Sequence, residues 1–510
     1  MNLKKTWFCC LATLLSLAPT VAWADYESSS DTGANRLDIL ENMRREERAN
    51  RLTDEQKKLL AETEKMRENL PNPLDPNKPM PIAFEGDELV YDQLTGEFSA
   101  TGKVHIVQLD NHQFDSDGEE TVRGNVINQE IEIPGKARML QLTPNMPRVT
   151  LEGFHTYYNY GTKMGTMGEA KGKVDHQYVT GKRFEFYPDH IVIYDGTSTK
   201  CNAKVPDYHT SAEKITIWPG DRMIMDNVKF WIKDKVLYSR DRSVQNLAEA
   251  SNNEFPRAGY NSREGVWISQ DIDYAVAPRV TAKAHLYAST KNHLKPNGNV
   301  IWENGGAKYS VLYGYYEDSD NNWIKKEPSF MFHYGHRIGK LPLGYGIDYE
   351  FGRWYNNGIR SNHSYYSLGI GHDPIVFDPN WYLYLGTSYN ITHESFDDVA
   401  VRGWNADVTL LKYFSDKWSA YAGYSYSTSN RENALFAYNL KDYSSKLETG
   451  FSYRFDDKNR IVCGFGYDVN KRKLKDIDYY WFHDIHCSQI VLRYRAKRHS
   501  WQVKWSFLPW

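Results

Sequence analysis

The second half of the chain is written in strict alternation. In Val280-Thr-Ala-Lys-Ala-His-Leu286, Val280, Ala282, Ala284 and Leu286 fall on one side of an extended strand. Thr281, Lys283 and His285 fall on the other. Trp501-Gln-Val-Lys-Trp-Ser-Phe507 repeats the pattern, with Trp501, Val503, Trp505 and Phe507 opposite Gln502, Lys504 and Ser506. Successive Cβ atoms of a strand point to opposite faces, so a period of two means strand and not helix. Residues 250–510 divide into about 16 such strands, and an even number is what a bacterial membrane β-barrel requires.

The turns give the strands a direction. Ala277-Pro278, Gly339 to Pro342, Pro374 to Asn380, Ser415 to Lys417, Asp456 to Asn459 and a turn near Cys487 are short to moderate, as on a periplasmic rim. Lys291 to Asn297, Asp318 to Asn322, Asn356 to Asn362, Thr392 to Asp398, Thr428 to Asp442 and Lys471 to Asp476 are mostly longer or more polar, as on an outer surface. A soluble β-sandwich is the competing fold, but it does not need 37 Tyr and 15 Trp, which favour membrane interfaces. The mean hydropathy of −0.66 does not argue against a membrane, because a barrel hides its apolar face in alternation. No apolar run long enough for a transmembrane helix follows the N-terminus. The net charge of −3 argues against a general nucleic-acid binder.

Residues 1–24 read as a signal peptide, with Lys4 and Lys5, an apolar stretch from Trp7 to Leu17, and Ala22-Trp-Ala24 as the small-x-small cleavage site. Cys9 and Cys10 leave with it, and the mature chain keeps Cys201, Cys463 and Cys487. An exported protein can hold disulfides, and three thiols allow one bridge and one leftover. Residues 25–81 form a polar lead-in. Leu59, Leu60 and Met66 recur at helical spacing there, and Pro71, Pro73, Pro76, Pro79 and Pro81 mark a linker.

Residues 82–245 hold shorter strands punctuated by Gly and Asp. Asp87 to Asp92 with Gly96 to Ile106 forms one block, and Gly181 to Ile193 is a looser echo. Repeated short strands with regular turns predict a stacked β-roll or jelly roll with an apolar interior. Leu89, Tyr91, Phe98, Val104, Ile106, Phe184 and Phe186 are the candidates for that interior. They read either as an ordinary sheet core or as the lining of a lipid groove.

No sequence signature of catalysis is present: no His-Glu-x-x-His zinc site, no nucleophile elbow and no phosphate loop. His483-Asp-Ile-His486 offers two metal ligands, which is too few for a site. The Gly-rich run Gly344 to Gly352 alternates like a strand rather than opening a helix. The expectation is a non-enzyme without cofactor or metal.

Five segments, taken in order, carry a resemblance. They are Thr197-Ser-Thr-Lys-Cys201, Ala212 to Trp218, Asn227 to Tyr238, Gly298 to Asn304 and His486 to Tyr494. Behind a signal peptide and a block with Gly86-Asp-Glu-Leu-Val-Tyr91 and Gly102-Lys-Val-His-Ile106, residues 82–510 resemble the LPS-assembly protein LptD family, with its OstA-like periplasmic domain. The resemblance implies an all-β protein: a periplasmic OstA-like jelly roll followed by an outer-membrane barrel. It implies a lipopolysaccharide translocon whose roll receives lipid from a periplasmic bridge protein of similar fold. The barrel would release that lipid sideways between its first and last strands. A lipoprotein plug inside the barrel is a further implied partner. Cys201 matches the family's jelly-roll cysteine and Cys487 its cysteine near the C-terminus, which implies a Cys201–Cys487 bridge. A Cys463–Cys487 bridge between nearby strands is the alternative.

Three physical readings accompany the resemblance. An apolar roll suits acyl chains, at about 0.8 kcal/mol per buried CH₂. Inward-facing Lys283, Arg493, Arg495 and Lys504 are expected either to attract lipid phosphates or to be ordinary lumen charges. Pro256 in the expected first strand and Pro509 near the end of the last each remove a ladder donor, which suits a weak lateral gate. A general porin is the competing function, and a barrel enzyme acting on outer-membrane lipids or peptides a more remote one. Departures from the family are a smaller barrel, room for one interdomain bridge rather than two, and no proline-rich run after Leu237-Tyr238.

Overall fold

The computed structural model describes Glu41 and residues 51–69, 81–143, 148–247, 255–277, 279–317, 323–431 and 434–508. The expected signal peptide, Pro71 to Pro79, and Pro509 lie outside the described residues. The described chain divides into two compact units. One is a β-roll that also takes in the turn His486–Ser488 and the tail from Phe507, and the other is a barrel.

The roll begins with the helix Asp54–Glu68. Its N-terminus is set by a capping box: the Gln56 amide donates to Thr53 Oγ1 at 3.3 Å and the Thr53 amide donates to Gln56 Oε1 at 3.0 Å. Asp54 and Glu55 stand in the first turn, Lys65 and Arg67 in the last, in the order the helix dipole favours. Leu59 and Met66 point to one side and pack on Val107 and Leu140 of the sheet. The spacing of Leu59, Leu60 and Met66 reads either as an exposed helix or as a solvated spacer, and the helix found here packs on the sheet instead.

From Glu130 to Asn246 each strand of the roll pairs antiparallel with the next in sequence. The order is a meander rather than the Greek key of a jelly roll. What closes it is a crease. The ladders break at matched mid-strand positions: Pro134-Gly135 against His155, Glu169 against Lys182, Asp195 against Glu213, and Asn227 against Asp241. His155, Glu169, Asp195 and Asn227 carry positive φ of 49°, 42°, 48° and 51°. Such left-handed residues bend a strand as bulges do. Buried rows run on both sides of the crease, with Ile133, Met167, Phe184, Ile193, Ile215 and Met225 on one and Met139, Leu151, Val174 and Phe230 on the other. The bent sheet therefore buries one whole face around its own core.

The barrel runs from Arg257–Asn261 to Ser500–Phe507 and closes between those two strands. Among the described residues it is a 16-strand antiparallel barrel, as the period of two predicts, with the two-residue pairing His293–Leu294 as an excursion between neighbours that also pair directly. Its outward positions are apolar and exposed: Val266, Ile268, Val300, Trp302, Leu368, Ile370, Trp404 and Leu447. Its inward positions hold buried small hydroxyls and ions, such as Ser310, Ser329, Thr409, Lys446, Glu448 and Arg460. A closed sheet leaves no unpaired edge and an apolar outer belt suits hydrocarbon, so this unit is built to span a membrane. Among the described residues turns occur at about the places the sequence gives, with three additions: the tight turn at Gly305-Gly306, the first hairpin at 262–264, and the 3₁₀ turn Ala496–Arg498; the expected turn Asp318 to Asn322 and Pro278 lie outside the described residues.

Candidate functional site: the seam, the mouth and the roll edge

The closing seam is short. Among the described residues Ala258↔Trp505, Gly259↔Lys504, Tyr260↔Val503 and Asn261↔Gln502 are in register, extended by the Ser262 amide donating to the Trp501 carbonyl at 3.0 Å. By contrast Leu343–Asn356 pairs without a break with its neighbour, from Leu343↔His372 to Asn356↔Ile359. Pro256 lies one residue before the first strand, not inside it as expected. Having no N–H, it stops the ladder from extending past Arg257. Gly259 is required here, because a Cβ would meet the Val503 carbonyl oxygen at 2.2 Å and the Trp267 ring at 2.6 Å. Pro509, the other expected gate residue, is outside the described residues.

On the inner wall beside the seam, Asp271 joins two neighbouring strands. It accepts from Arg257 Nη2 at 2.6 Å and lies 2.5 Å from His285 Nδ1. Lys283, an expected lumen charge, lies 3.6 Å from Asp273. Arg493 donates to Asp478 at 2.7 Å and to Gln502 at 3.2 Å. Arg495 is buried 3.7 Å from Asp478 and 4.0 Å from Asp476. Lys504 is exposed, on the same strand face as Gln502. The two arginines are thus part of a packed ionic lattice rather than an open cationic surface.

The sequence does not reveal the second feature, a plug at the barrel mouth made by the chain itself. In the long loop after Trp418–Ser427, Phe436 is buried against Ile324 and Trp354, with Phe396, Leu435 and Tyr438 around them. Asn356 donates to the Leu435 carbonyl at 2.6 Å, and Asn439 lies 3.2 Å from His363 Nε2. His363 stacks on Trp354 with centroids 3.4 Å apart. Lys326 is buried, bonds Glu350 at 2.7 Å, and sits over the Tyr316, Trp354 and Tyr438 rings at 4.9, 5.0 and 4.9 Å. The signal available in the sequence is the apolar run Leu435-Phe-Ala-Tyr438 with Leu440, inside an otherwise polar loop.

In the roll, Phe98, Val104, Ile106, Phe184 and Phe186 are buried, as expected of an interior. Leu89 and Tyr91 are a correction: they are 53% and 49% exposed. Their strand, Glu88–Tyr91, pairs on one side with Glu97–Thr101 and among the described strands has no partner on the other. It is too short to cover the core and stands as a free edge, with Val90 and Leu94 exposed beside it. A cleft of about 790 Å³ also opens in the roll, lined by Asp117, Lys136, Arg138, Glu152, Lys171 and Thr180 among others. None of the seven groove candidates lines it.

The bridge implied for Cys201 and Cys487 is present, with Cα atoms 5.4 Å apart, and Cys463 is the free thiol. Asp207 supports it. The Cys487 amide donates to Asp207 Oδ2 at 3.4 Å, and the Asp207 amide lies 3.4 Å from Cys201 Sγ. A nest of rings adjoins it: Tyr208 meets Phe255 at 4.7 Å and Phe507 at 4.6 Å, and Phe255 meets Phe507 at 5.2 Å. Tyr208, Phe255 and Phe507 all belong to the same compact unit.

No protein-family model and no curated protein matches the chain. Solved structures similar to it are porins and channels. A triple mutant of the Rh. blastica porin covers 49% of this chain and 97% of its own, at 10% identity and a TM-score of 0.30. Salmonella typhi OmpF in complex with daunomycin covers 49% and 96%, at 10% identity and a TM-score of 0.27. The outer membrane channel DcaP of Acinetobacter baumannii covers 49% and 94%, at 11% identity and a TM-score of 0.30. At such values no property of those proteins is carried over.

Proposed function

We propose that this chain is an outer-membrane conduit for an amphiphile of the lipopolysaccharide type, released sideways through its seam. One observation carries the reading: among the described residues the ladder between the first and last strands is short, running only from Ala258↔Trp505 to Asn261↔Gln502. In hydrocarbon every unpaired backbone group costs several kcal/mol, so the place where fewest are exposed is where a barrel opens most readily. The LptD-like roll fits the same reading. Its free edge Glu88–Tyr91 offers backbone groups to a periplasmic bridge protein by strand addition, with Leu89, Val90 and Tyr91 exposed there.

The test is a covalent lock. Ala258→Cys with Trp505→Cys, in a Cys463→Ser background, places two thiols on directly paired residues. Oxidation is expected to abolish appearance of lipopolysaccharide at the cell surface, and reduction to restore it. Undiminished delivery through the locked barrel overturns the reading.

A second reading is a solute channel. The polar, ion-paired lumen favours it. It predicts a steady ionic conductance in planar bilayers that the seam lock leaves unchanged. A lipoprotein inside the barrel would compete for the mouth with the chain's own Phe436 loop, which makes an external plug the least supported of the expected partners.

A further inference from the structure

On the rim opposite Cys487, a run of exposed cations is centred on the seam. Strand order makes the turn at 262–264 the hairpin just beyond the first strand. Around the rim its neighbours are the turn at 290–296 on one side and those at 496–499 and 469–472 on the other. These four turns carry Arg263, Lys291, Lys471, Arg472, Lys473 and Lys497, all exposed. Lys291 donates to the Ser262 carbonyl at 2.9 Å, which ties two of the turns together. Lys471 lies 4.0 Å from Asp468, and Glu264, the acid of the first hairpin, is fully buried among Ser289, Asn292 and Trp323. About halfway round the barrel Asp398 is exposed on the same rim, 3.2 Å from His393, and Asp397 beside it pairs with Arg431 at 2.7 Å.

Directly below the positive arc the outer wall is apolar and aromatic. Tyr260, Val266, Ile268 and Trp501 are exposed there, and Trp501 stacks on Tyr494 at 4.4 Å. Cations above a strip of exposed rings and aliphatic groups, on the outer wall of one barrel sector, match a molecule with phosphates at one end and acyl chains at the other. A purely aqueous anion would not need the apolar strip. An uncharged lipid would not need the arc.

We propose that this sector is a binding site for a phosphorylated glycolipid of the outer leaflet, its phosphates held by Arg263, Lys291, Lys471 to Lys473 and Lys497, and its chains lying along Val266, Ile268 and Trp501. The site takes from the reading above only that this rim meets the outer leaflet. It gives the seam an acceptor: lipid emerging between the first and last strands meets its countercharge at once, and return becomes unfavourable.

The experiment uses the full chain in phosphatidylcholine nanodiscs, titrated with fluorescent bis-phosphorylated lipid A and with the same lipid dephosphorylated. The variant Lys471→Gln/Arg472→Gln/Lys473→Gln/Lys497→Gln is compared with Lys340→Gln/Lys417→Gln/Lys458→Gln, which removes exposed lysines from turns of the opposite rim. The arc variant is expected to bind phosphorylated lipid at least tenfold more weakly. The opposite-rim variant is expected to bind as the parent does, and raising salt from 0.05 to 0.5 M is expected to erase most of the difference, as screening requires. Equal affinity for both lipids, an arc variant that binds like the parent, or an equal loss in the opposite-rim variant overturns the proposal. Should the fourfold variant fail to fold, judged by heat-modifiable gel migration, Lys473→Gln and Lys497→Gln are measured singly, each with an expected loss of severalfold. This readout is independent of transport: failure of the seam lock to stop delivery removes the translocon reading and leaves the lipid site standing, whereas failure of the titration does the reverse.

Discussion

The hydroxyl of Tyr208 donates to the carbonyl of Leu508 at 3.2 Å, across 300 residues of sequence. The same ring fills the nest between Phe255 and Phe507 and is 2% exposed. Removing the hydroxyl and removing the ring should therefore differ. Tyr208→Phe loses one hydrogen bond and is expected to cost about 1 kcal/mol. Tyr208→Ala opens a cavity and is expected to cost about 3–5 kcal/mol. Chemical denaturation of the full chain in detergent, followed by tryptophan fluorescence, reads both. Equal costs would show that the ring is not packed as described.

The Cys201–Cys487 bridge closes a loop with a sequence separation of 286 residues. A closure this long changes the hydrodynamic size of the denatured chain. On a non-reducing denaturing gel the parent is expected to run faster than its reduced form. Cys201→Ser and Cys487→Ser are expected to run at the reduced position without added thiol, and Cys463→Ser to run as the parent does. Normal mobility of the Cys487→Ser variant would sink the assignment.

Much of this architecture is legible from one periodicity. Val280 to Leu286 and Trp501 to Phe507 lie in strands as their alternation requires, because in a membrane barrel one face meets lipid and the other does not. Alternation does not say which face is inside, or whether there is an inside at all. Leu89 and Tyr91 alternate like core residues, yet their strand is an exposed edge. The crease was hidden for a different reason. His155, Glu169, Asp195 and Asn227 adopt left-handed φ without being glycine, so composition gives no warning of the bends. Arg493 and Arg495 pair with Asp476 and Asp478 of another strand, and strand pairing is what a local pattern cannot supply.

The loop that carries Phe436 narrows the mouth, so conductance should report its seating. Phe436 is 1% exposed against Trp354 and Ile324. Phe436→Ala removes the ring that anchors the loop, at an expected local cost of about 3–5 kcal/mol. Single-channel recordings of the variant are expected to show longer and larger openings than the parent. Trp354→Ala is expected to do the same, because it removes the other face of the contact. Unchanged conductance in both would mean that the loop does not limit passage.

The roll should lose stability in mild acid, and His112 should be a main cause. His112 is buried beside Phe114 and Tyr158, with its Nδ1 3.1 Å from the Tyr158 hydroxyl. Burial pushes its pKa down to about 4; Asp110 opposes that shift and Lys163 adds to it. The folded state thus holds the neutral ring while the unfolded chain, with an ordinary value near 6.5, takes up a proton first. Stability contributed by the neutral ring is complete above about 6.5 and is lost as pH falls toward 4, by on the order of 3 kcal/mol at most. His176, likewise lowered to about 4 by burial, works in the same direction. His105 works in the opposite one. Its hydrogen bond to Asp115 and the nearby Glu62 of the helix raise its pKa, so its contribution is present below about 6.5 and fades as pH rises through the raised value. In denaturation of the full chain between pH 4 and 7, His112→Asn is expected to flatten the acid-side loss. His105→Asn is expected to steepen it, because it removes a contribution that grows toward acid. A parent whose stability is level from pH 7 to pH 4, or a His112→Asn variant with an unaltered slope, would refute the assignment.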